Sequence, residues 1–402
     1  MLELVGYLFL IFSFIAWVSY FLLTRRNFLY MPHISEDTPV YFSKEKPPMV
    51  TIVIPTRNEE NRIINCIKTL QSQTYQNFKV IIVDDSTDKT IEVITNIVGN
   101  DTRFKIIKQK PLKDGWIGKP FAVQQGFTSA EGEWLLFIDA DTYYDPMIIE
   151  KSVSYAIQNN LDMLSISPRH ICKTFWEKVI QPIPLGIIPA ISPLTKVNDP
   201  KSNVALALGP YILIKNSVFQ KVGGYESIKG CIADDIELAK LVKTSGHRIG
   251  IANGQSLMNL RMYERFHDIW EGWEKNIFFG FVQSRQMKSK IIQILFLFAM
   301  TCAIFIIMTF PILSLIVSGV LFIFTMSSVL EYFFLFSLVI WIFSILIQVY
   351  VQRSYAIGNA RYAPLVILLG GIIILGIFLN SGIKTLRGKG VIWKGRTYAA
   401  KK

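Results

Sequence analysis

Four clusters in this 402-residue chain combine residue types that can do chemistry. Asp139-Ala-Asp141 sets two carboxylates on one tight turn, where they can converge on a hard divalent cation, Mg²⁺ or Mn²⁺, and through it on a diphosphate. Such a triplet alone is often no more than a solvated loop. Asp84-Asp85-Ser-Thr-Asp88 is the second cluster. Asp88 or Ser86 suffices as a helix cap, so Asp84 and Asp85 are free to take a base or a ribose. The third, Gly115-Trp-Ile-Gly118-Lys119-Pro120, begins like a phosphate-binding loop, but Pro120 lacks the hydroxyl and the N–H that loop needs. What survives is a glycine that admits an anion to the backbone and a lysine that acts as a point charge for phosphate, or else a surface turn. The fourth, Asp234-Asp235, opens a helical pattern over Ile236 to Val242. Either the pair favours the helix dipole, or one member is a general base standing within about 3 Å of an acceptor hydroxyl.

These clusters need a scaffold, and the residues between them describe one. Val50 to Ile54, Val80 to Val83 and Trp134 to Ile138 are short β-branched or apolar runs of the kind buried in parallel sheets, with Phe104 to Ile107 as a further strand. Helical spacing links them over Glu59 to Gln71 and Ile91 to Val98. Alternating strands and helices predict an open parallel α/β sheet, which binds ligands at the carboxyl ends of its strands. Those ends carry Thr56, Asp84, Asp85, Asp139 and Asp141.

A different chemistry occupies the two ends of the chain. Ile291 to Tyr350 contains one charge, Glu331. A bilayer crossing takes about 20 apolar residues, so this stretch predicts three crossings, turning near Pro311 and Glu331. Pro364 to Asn380 adds a fourth; three crossings, or two plus a re-entrant piece, are the alternatives for this C-terminal block. Leu2 to Leu23 is apolar apart from Glu3 and is followed by Arg25 and Arg26, the reverse of a cleavable signal. It reads as an anchor with its N-terminus outside. The domain plan is therefore an anchor over 1–24, a linker over 25–48, a catalytic domain over 49–285, membrane helices over 286–382 and a basic tail over 383–402. Segments 181–200 (five prolines in an apolar stretch) and 261–280 suit the membrane interface, though the first would also serve as a core loop. Trp270 and Trp273 either anchor the domain there or cover an acceptor.

The formal charge of +12 sits mostly beside apolar segments, as in Arg25, Arg26, Lys288, Lys290, Lys384 and Arg387. That is the pattern of membrane topology and anionic headgroups, and no nucleic-acid partner is expected. Four scattered cysteines form neither a disulfide framework nor a zinc site, which fits a reduced compartment.

Taken together, Thr51-Ile-Val-Ile-Pro-Thr-Arg-Asn-Glu59, Val83-Asp-Asp-Ser-Thr-Asp88, Asp139-Ala-Asp141 and Asp234-Asp235 resemble the family 2 inverting glycosyltransferases of the GT-A fold, over roughly residues 48–280. Gly118-Lys119-Pro120-Phe-Ala122 and Trp393-Lys-Gly-Arg396 are most similar to the membrane subgroup of ceramide, hopanoid and carotenoid glycosyltransferases. The resemblance implies an α/β fold, a Rossmann-like nucleotide-diphospho-sugar transferase domain with N-terminal and C-terminal transmembrane helices. It implies that Pro55, Thr56 and Glu59 line a nucleotide pocket, that Asp84 and Asp85 contact base or ribose, and that Lys119 approaches the diphosphate. Asp139 would face ribose or donor sugar and share a metal with Asp141; Asp235 would be the catalytic base, with Asp234 beside it. The Q/R-x-x-R-W motif of processive synthases is missing after the base, where Arg261-Met-Tyr263 and Trp270-Glu-Gly-Trp273 stand instead.

The expected protein is thus an integral cell-membrane glycosyltransferase with its catalytic domain and tail in the cytoplasm. It would move a sugar from a nucleotide-sugar donor to a lipid acceptor, with a divalent cation as cofactor. The rival readings are a polyprenyl-phosphate sugar synthase, a processive polysaccharide synthase and a catalytically silent membrane scaffold.

Overall fold

Buried β-branched runs make the sheet. In the computed structural model, which describes residues 2–43, 46–285 and 287–398, the strands are β1 (Val50–Thr56), β2 (Phe78–Asp84), β3 (Phe104–Lys108), β4 (Trp134–Ile138), β5 (Thr142–Tyr144), β6 (Met163–Ser167), β7 (Arg169–His170), β8 (Tyr211–Lys215), β9 (Ile249–Asn253) and β10 (Met258–Leu260). Seven of them form one sheet in the order β3-β2-β1-β4-β8-β6-β9. The sheet is mixed rather than wholly parallel, because β8 runs antiparallel to both β4 and β6. That reversal matters for function. Tyr211, the first residue of β8, pairs with Ile138, the last of β4, so the loop before β8 reaches the same edge as the β4 carboxyl end. A small sheet, β5-β10-β7, completes this unit, which comprises residues 30–171 and 193–262.

Ile52, Ile54, Val80 and Ile82 face helices Ile63–Gln71 and Thr90–Val98 in the main core. On the other sheet face the helix Gly118–Phe127 lies so close that a Cβ on Gly126 would meet Val53 at 2.4 Å. Only a glycine permits that approach. The first of these helices starts at Ile63, later than its apolar spacing predicts. Glu59 and Arg62 form a turn, with the Arg62 N–H donating to the Glu59 carbonyl at 2.9 Å.

Residues 25–48 are not a free linker. The first helix runs through Arg25 and Arg26 to Tyr30, and the chain then bonds to sheet edge β9. Asn253 N donates to Pro32 O at 2.8 Å or less (2.7 Å), and Ile34 N donates to Asn253 O at 2.8 Å. An edge strand offers unpaired backbone groups, and this segment takes them.

The second unit holds residues 1–29, 172–192 and 263–402. Among the described residues, four of its helices are long and apolar enough to cross a membrane: Leu4–Tyr30, which runs one residue beyond the unit's boundary, Lys290–Thr325, Ser328–Ser354 and Ala360–Leu386. The sixty-residue apolar run therefore makes two helices, not the expected three. The chain turns at Met326-Ser327, near Glu331, but continues through Pro311. The helix instead widens to a π-turn over Phe305–Thr309 just before the proline. The Ile307 carbonyl there accepts from Ser13 Oγ and Trp17 Nε1, both at 3.1 Å. Neighbouring side chains thus satisfy a backbone group that lipid could not. The apolar segment 181–200 forms helices Pro182–Ile191 and Leu194–Val197. A tail hairpin of β11 (Val391–Trp393) and β12 (Arg396–Tyr398) ends the described chain; Lys401 and Lys402 lie outside the described residues.

Candidate active site

Strand order decides which side chains can meet. β2, β1 and β4 are neighbours, so their carboxyl ends bring Asp84, Thr56 and Asp139 to one edge. Asp84 is only 4% exposed, and its carboxylate is already engaged. Oδ1 accepts from Thr56 Oγ1 and Ser86 Oγ, each at 2.7 Å, and Oδ2 accepts from Ser86 N at 3.2 Å. Asp84 therefore braces the ends of β1 and β2 rather than presenting a free acceptor. Asp85, one residue beyond the strand, holds Arg57 Nη1 at 2.6 Å and keeps a quarter of its side chain exposed. Asp88 takes the helix-opening role, accepting from Thr90 N at 3.0 Å. Pro55 is half-buried within β1, and Glu59 pairs with Arg62 Nε at 2.8 Å.

The centre of the site is Lys119. It lies in the first turn of Gly118–Phe127, where Pro120 is tolerated because the first N–H groups of a helix have no partner to lose. Its Nζ stands 2.6 Å from Asp139 Oδ1. Asp234 and Asp235, in the first turn of helix Asp234–Thr244, face the same ammonium. Burial works to lower the lysine; the three carboxylates together outweigh it and hold the group above its ordinary value. Three carboxylates share one ammonium, a local excess of negative charge that a cation or a proton would relieve.

The two adjacent aspartates differ. Asp234 is 6% exposed, and its Oδ2 is buried with no hydrogen-bond partner among the described residues. Burial pushes its carboxyl up to about 6, against the pull of Lys119 and with the push of Asp235. Asp235 is more open; Oδ1 accepts from Ile236 N at 2.8 Å and Oδ2 from Gly209 N at 2.9 Å. Burial raises Asp235 too, while Lys119 and those two N–H groups restrain it. A carboxylate that is accessible and more basic than usual is what a general base requires.

Gly209 and Tyr225 were not marked by the motifs, and Arg57 stood inside one without an assigned role. A Cβ on Gly209 would lie 3.1 Å from Lys119 Nζ and 3.2 Å from Asp235 Oδ2, so this glycine lets the backbone lie close to both Lys119 and Asp235. The only sequence signal was a Gly-Pro pair opening a strand. Tyr225 is buried beside Asp234, and its phenol is raised first by burial and then by the Asp234 and Asp235 charges.

Asp139-Ala140-Asp141 forms the turn between β4 and β5, with Asp139 O accepting from Thr142 Oγ1 at 2.6 Å. Both aspartates offer hard oxygen donors, and among the described residues no group of three His, Cys, Asp or Glu is placed to hold a metal alone. The donor set fits Mg²⁺ or Mn²⁺ in the manner in which such ions are usually held, by one or two carboxylates completed by substrate phosphates.

Trp270 and Trp273 belong to the membrane-helix unit. Trp273 is 4% exposed and meets Tyr263 edge-on, with ring centres 6.0 Å apart. Trp270 tilts against Phe266 at 5.9 Å and lies beside Gly376. Their packing partners within that unit account for both rings.

The mixed seven-stranded sheet, with Thr56, Asp84 and Asp139 at the carboxyl ends of neighbouring strands, has a fold of the GT-A type. Over residues 51–223 the chain matches the glycosyl transferase family 2. It is similar to 4,4'-diaponeurosporenoate glycosyltransferase of Staphylococcus aureus (strain USA300), 28% identical over 234 residues, covering 58% of this chain and 61% of the relative. The same enzyme from strain MRSA252 is 28% identical over 235 residues with the same coverage. The match thus spans 61% of the relatives' length. Among solved structures, a mannosyltransferase from Pyrobaculum calidifontis in complex with GDP-Man and Mn²⁺ shares the fold, with a TM-score of 0.55 at 16% identity over 96% of this chain and 99% of that one.

Proposed function

We propose that this protein is an inverting glycosyltransferase that moves a sugar from a nucleotide-sugar donor to a lipid or membrane-embedded acceptor. The observation that carries the reading is the single Lys119 ammonium shared by Asp139, Asp234 and Asp235 at the carboxyl edge of the sheet. In this reading Thr56, Asp84 and Asp85 bound the nucleoside side of the pocket, with Pro55 and Glu59 behind them. Lys119 exchanges part of its contact with Asp139 for the diphosphate and offsets charge growing there as the sugar leaves. Asp235 takes the proton of the acceptor hydroxyl while that oxygen attacks the anomeric carbon, and a single displacement inverts the centre. Asp141, with Asp139, would hold a divalent cation, which when bound would neutralise the leaving diphosphate.

The four apolar helices and the acceptor for which the Staphylococcus aureus relatives are named, 4,4'-diaponeurosporenoate, support a long apolar acceptor. The cytoplasmic face is the one consistent with a nucleotide-sugar supply and with Arg25 and Arg26 at the end of the first helix. The test is mass spectrometry of membrane lipids from cells with and without the protein, supplied with several nucleotide sugars. New glycosylated lipid that vanishes in Asp235→Asn is the expected result; no lipid-linked sugar with any donor would overturn the proposal.

A further inference from the structure

The helix Ala360–Leu386 is long and apolar enough to cross a bilayer, yet its contacts assign it another path. The first helix runs parallel to Ser328–Ser354. Tyr7 packs on Phe333, Phe14 on Phe343, Phe21 on Tyr350 and Phe28 on Tyr355, each partner advancing with the other. Both helices therefore end on one side, that of Leu29. Lys290–Thr325 is antiparallel to each. Phe9 meets Phe310 while Ser13 and Trp17 reach back to Ile307, and Ser314 bonds Ser337 at 2.7 Å while Gly319 faces Phe334. Lys290 thus begins on the side where Leu29 and Ser354 end.

The last helix starts six residues after Ser354, on that same side. It then packs antiparallel to Lys290–Thr325, with Gly371 against Met308 and Gly382 against Leu297. Moving along it therefore leads back toward Lys290. Its end is fastened by Lys384, 2.9 Å from the buried Glu274, and by Ser381 Oγ donating to Glu274 O at 2.6 Å. Its start lies against helix Phe175–Ile180, where Tyr362 meets Phe175 and Gly370 meets the Val179 backbone.

We infer that Ala360–Leu386 does not cross the membrane but enters and leaves on one side, so that the chain crosses three times. A second, independent observation agrees. With four crossings Arg361 and Arg387 would lie on opposite sides. With three, Arg25, Arg26, Lys290, Arg353, Arg361, Lys384 and Arg387 all fall on the side where Leu29 ends. The opposite ends of the helices hold Glu3 and Glu331 and no lysine or arginine. This one-sided basic rim is the strongest form of positive-inside sorting and suits the anionic headgroups of a single leaflet.

The inference is independent of what the protein transfers, and side-specific labelling tests it. Arg26→Cys, Met326→Cys, Arg361→Cys and Arg387→Cys would each be made in the full chain. Labelling by a membrane-impermeant maleimide in right-side-out and inverted vesicles is read as the increment over the parent. The expected result is Arg361→Cys and Arg387→Cys labelling together with Arg26→Cys, and Met326→Cys labelling from the other face. Arg387→Cys labelling with Met326→Cys would overturn it. Loss of lipid glycosylation in the unmodified parent would count against the functional proposal and leave this topology untouched.

Discussion

Two buried acidic sites in this molecule are built on opposite principles. Around Glu274, which is 1% exposed, every charge is answered. Lys384 Nζ stands 2.9 Å from Oε2, Asn380 donates to Oε1, and Ser381 bonds the Glu274 carbonyl. Around Lys119, three carboxylates compete for one cation, and Asp234 Oδ2 is buried without a hydrogen-bond partner among the described residues. A closed pair is a fastening; an over-filled acidic cluster stores electrostatic cost that only a ligand, a cation or a proton relieves. The difference separates structure from chemistry without reference to any relative.

The sharpest way to break that contrast is Asp235→Asn. It should lower transfer by about 10²–10⁴, the usual contribution of a general base, while calorimetry finds nucleotide binding largely unchanged. Wild-type turnover would remove Asp235 from the mechanism. Gly209→Ala should cost about tenfold to a hundredfold, mainly in kcat, because the added methyl displaces Lys119 or Asp235. Its melting temperature should stay close to the parent's; an equal fall in both would mean the loop, not the site, had been damaged.

On the closed side, Glu274→Gln should destabilise the membrane-helix unit by about 1–2 kcal/mol, a figure discounted because Lys384 remains 35% exposed. Denaturation in detergent reads this, and transfer per folded molecule should not change. A large drop in kcat would make Glu274 part of the chemistry.

The smallest effect is one of pH. Asp234 and Asp235 are raised by burial, so the folded protein binds their protons more tightly than the unfolded chain does. For Asp234 that stabilisation is complete below its ordinary value of 3.8 and is lost as pH rises through about 6. Transfer should move the other way, rising with pH as Asp235, which burial also raises, gains its charge. Activity and stability profiles that rise together would show that the base is not a raised carboxylate.

Much of the site was legible because strand ends are legible. Thr56, Asp84, Asp139 and Asp141 follow apolar runs, and the carboxyl-edge rule alone placed them together. What sequence could not show was which carboxylates were already engaged. Asp84 looked free, yet its acceptors are taken by Thr56 and Ser86 across a tertiary contact. Gly209 was invisible because its importance lies in what a missing Cβ leaves room for. The reversed strand β8, which carries Gly209 to the site, has the same apolar pattern in either direction. In the membrane block, Pro311 marked a break by the rules of water-soluble helices. Ser13 and Trp17, nearly 300 positions away, removed the reason for one.

With Asp235 as the proposed base, the bond from Gly209 N to Asp235 Oδ2 would also tie turnover to backbone motion. Once Asp235 has accepted a proton, the amide faces a neutral acid instead of an anion, and a charge-assisted hydrogen bond weakens to an ordinary one. The strand-entry loop would then loosen at the moment a product needs to depart and tighten again when the acid is discharged, a latch timed by the reaction itself. The protection factor of the Gly209 amide, which removes the intrinsic pH dependence of exchange, should rise as the parent is brought from acid to neutral pH and stay flat in Asp235→Asn, where the acceptor is neutral at every pH.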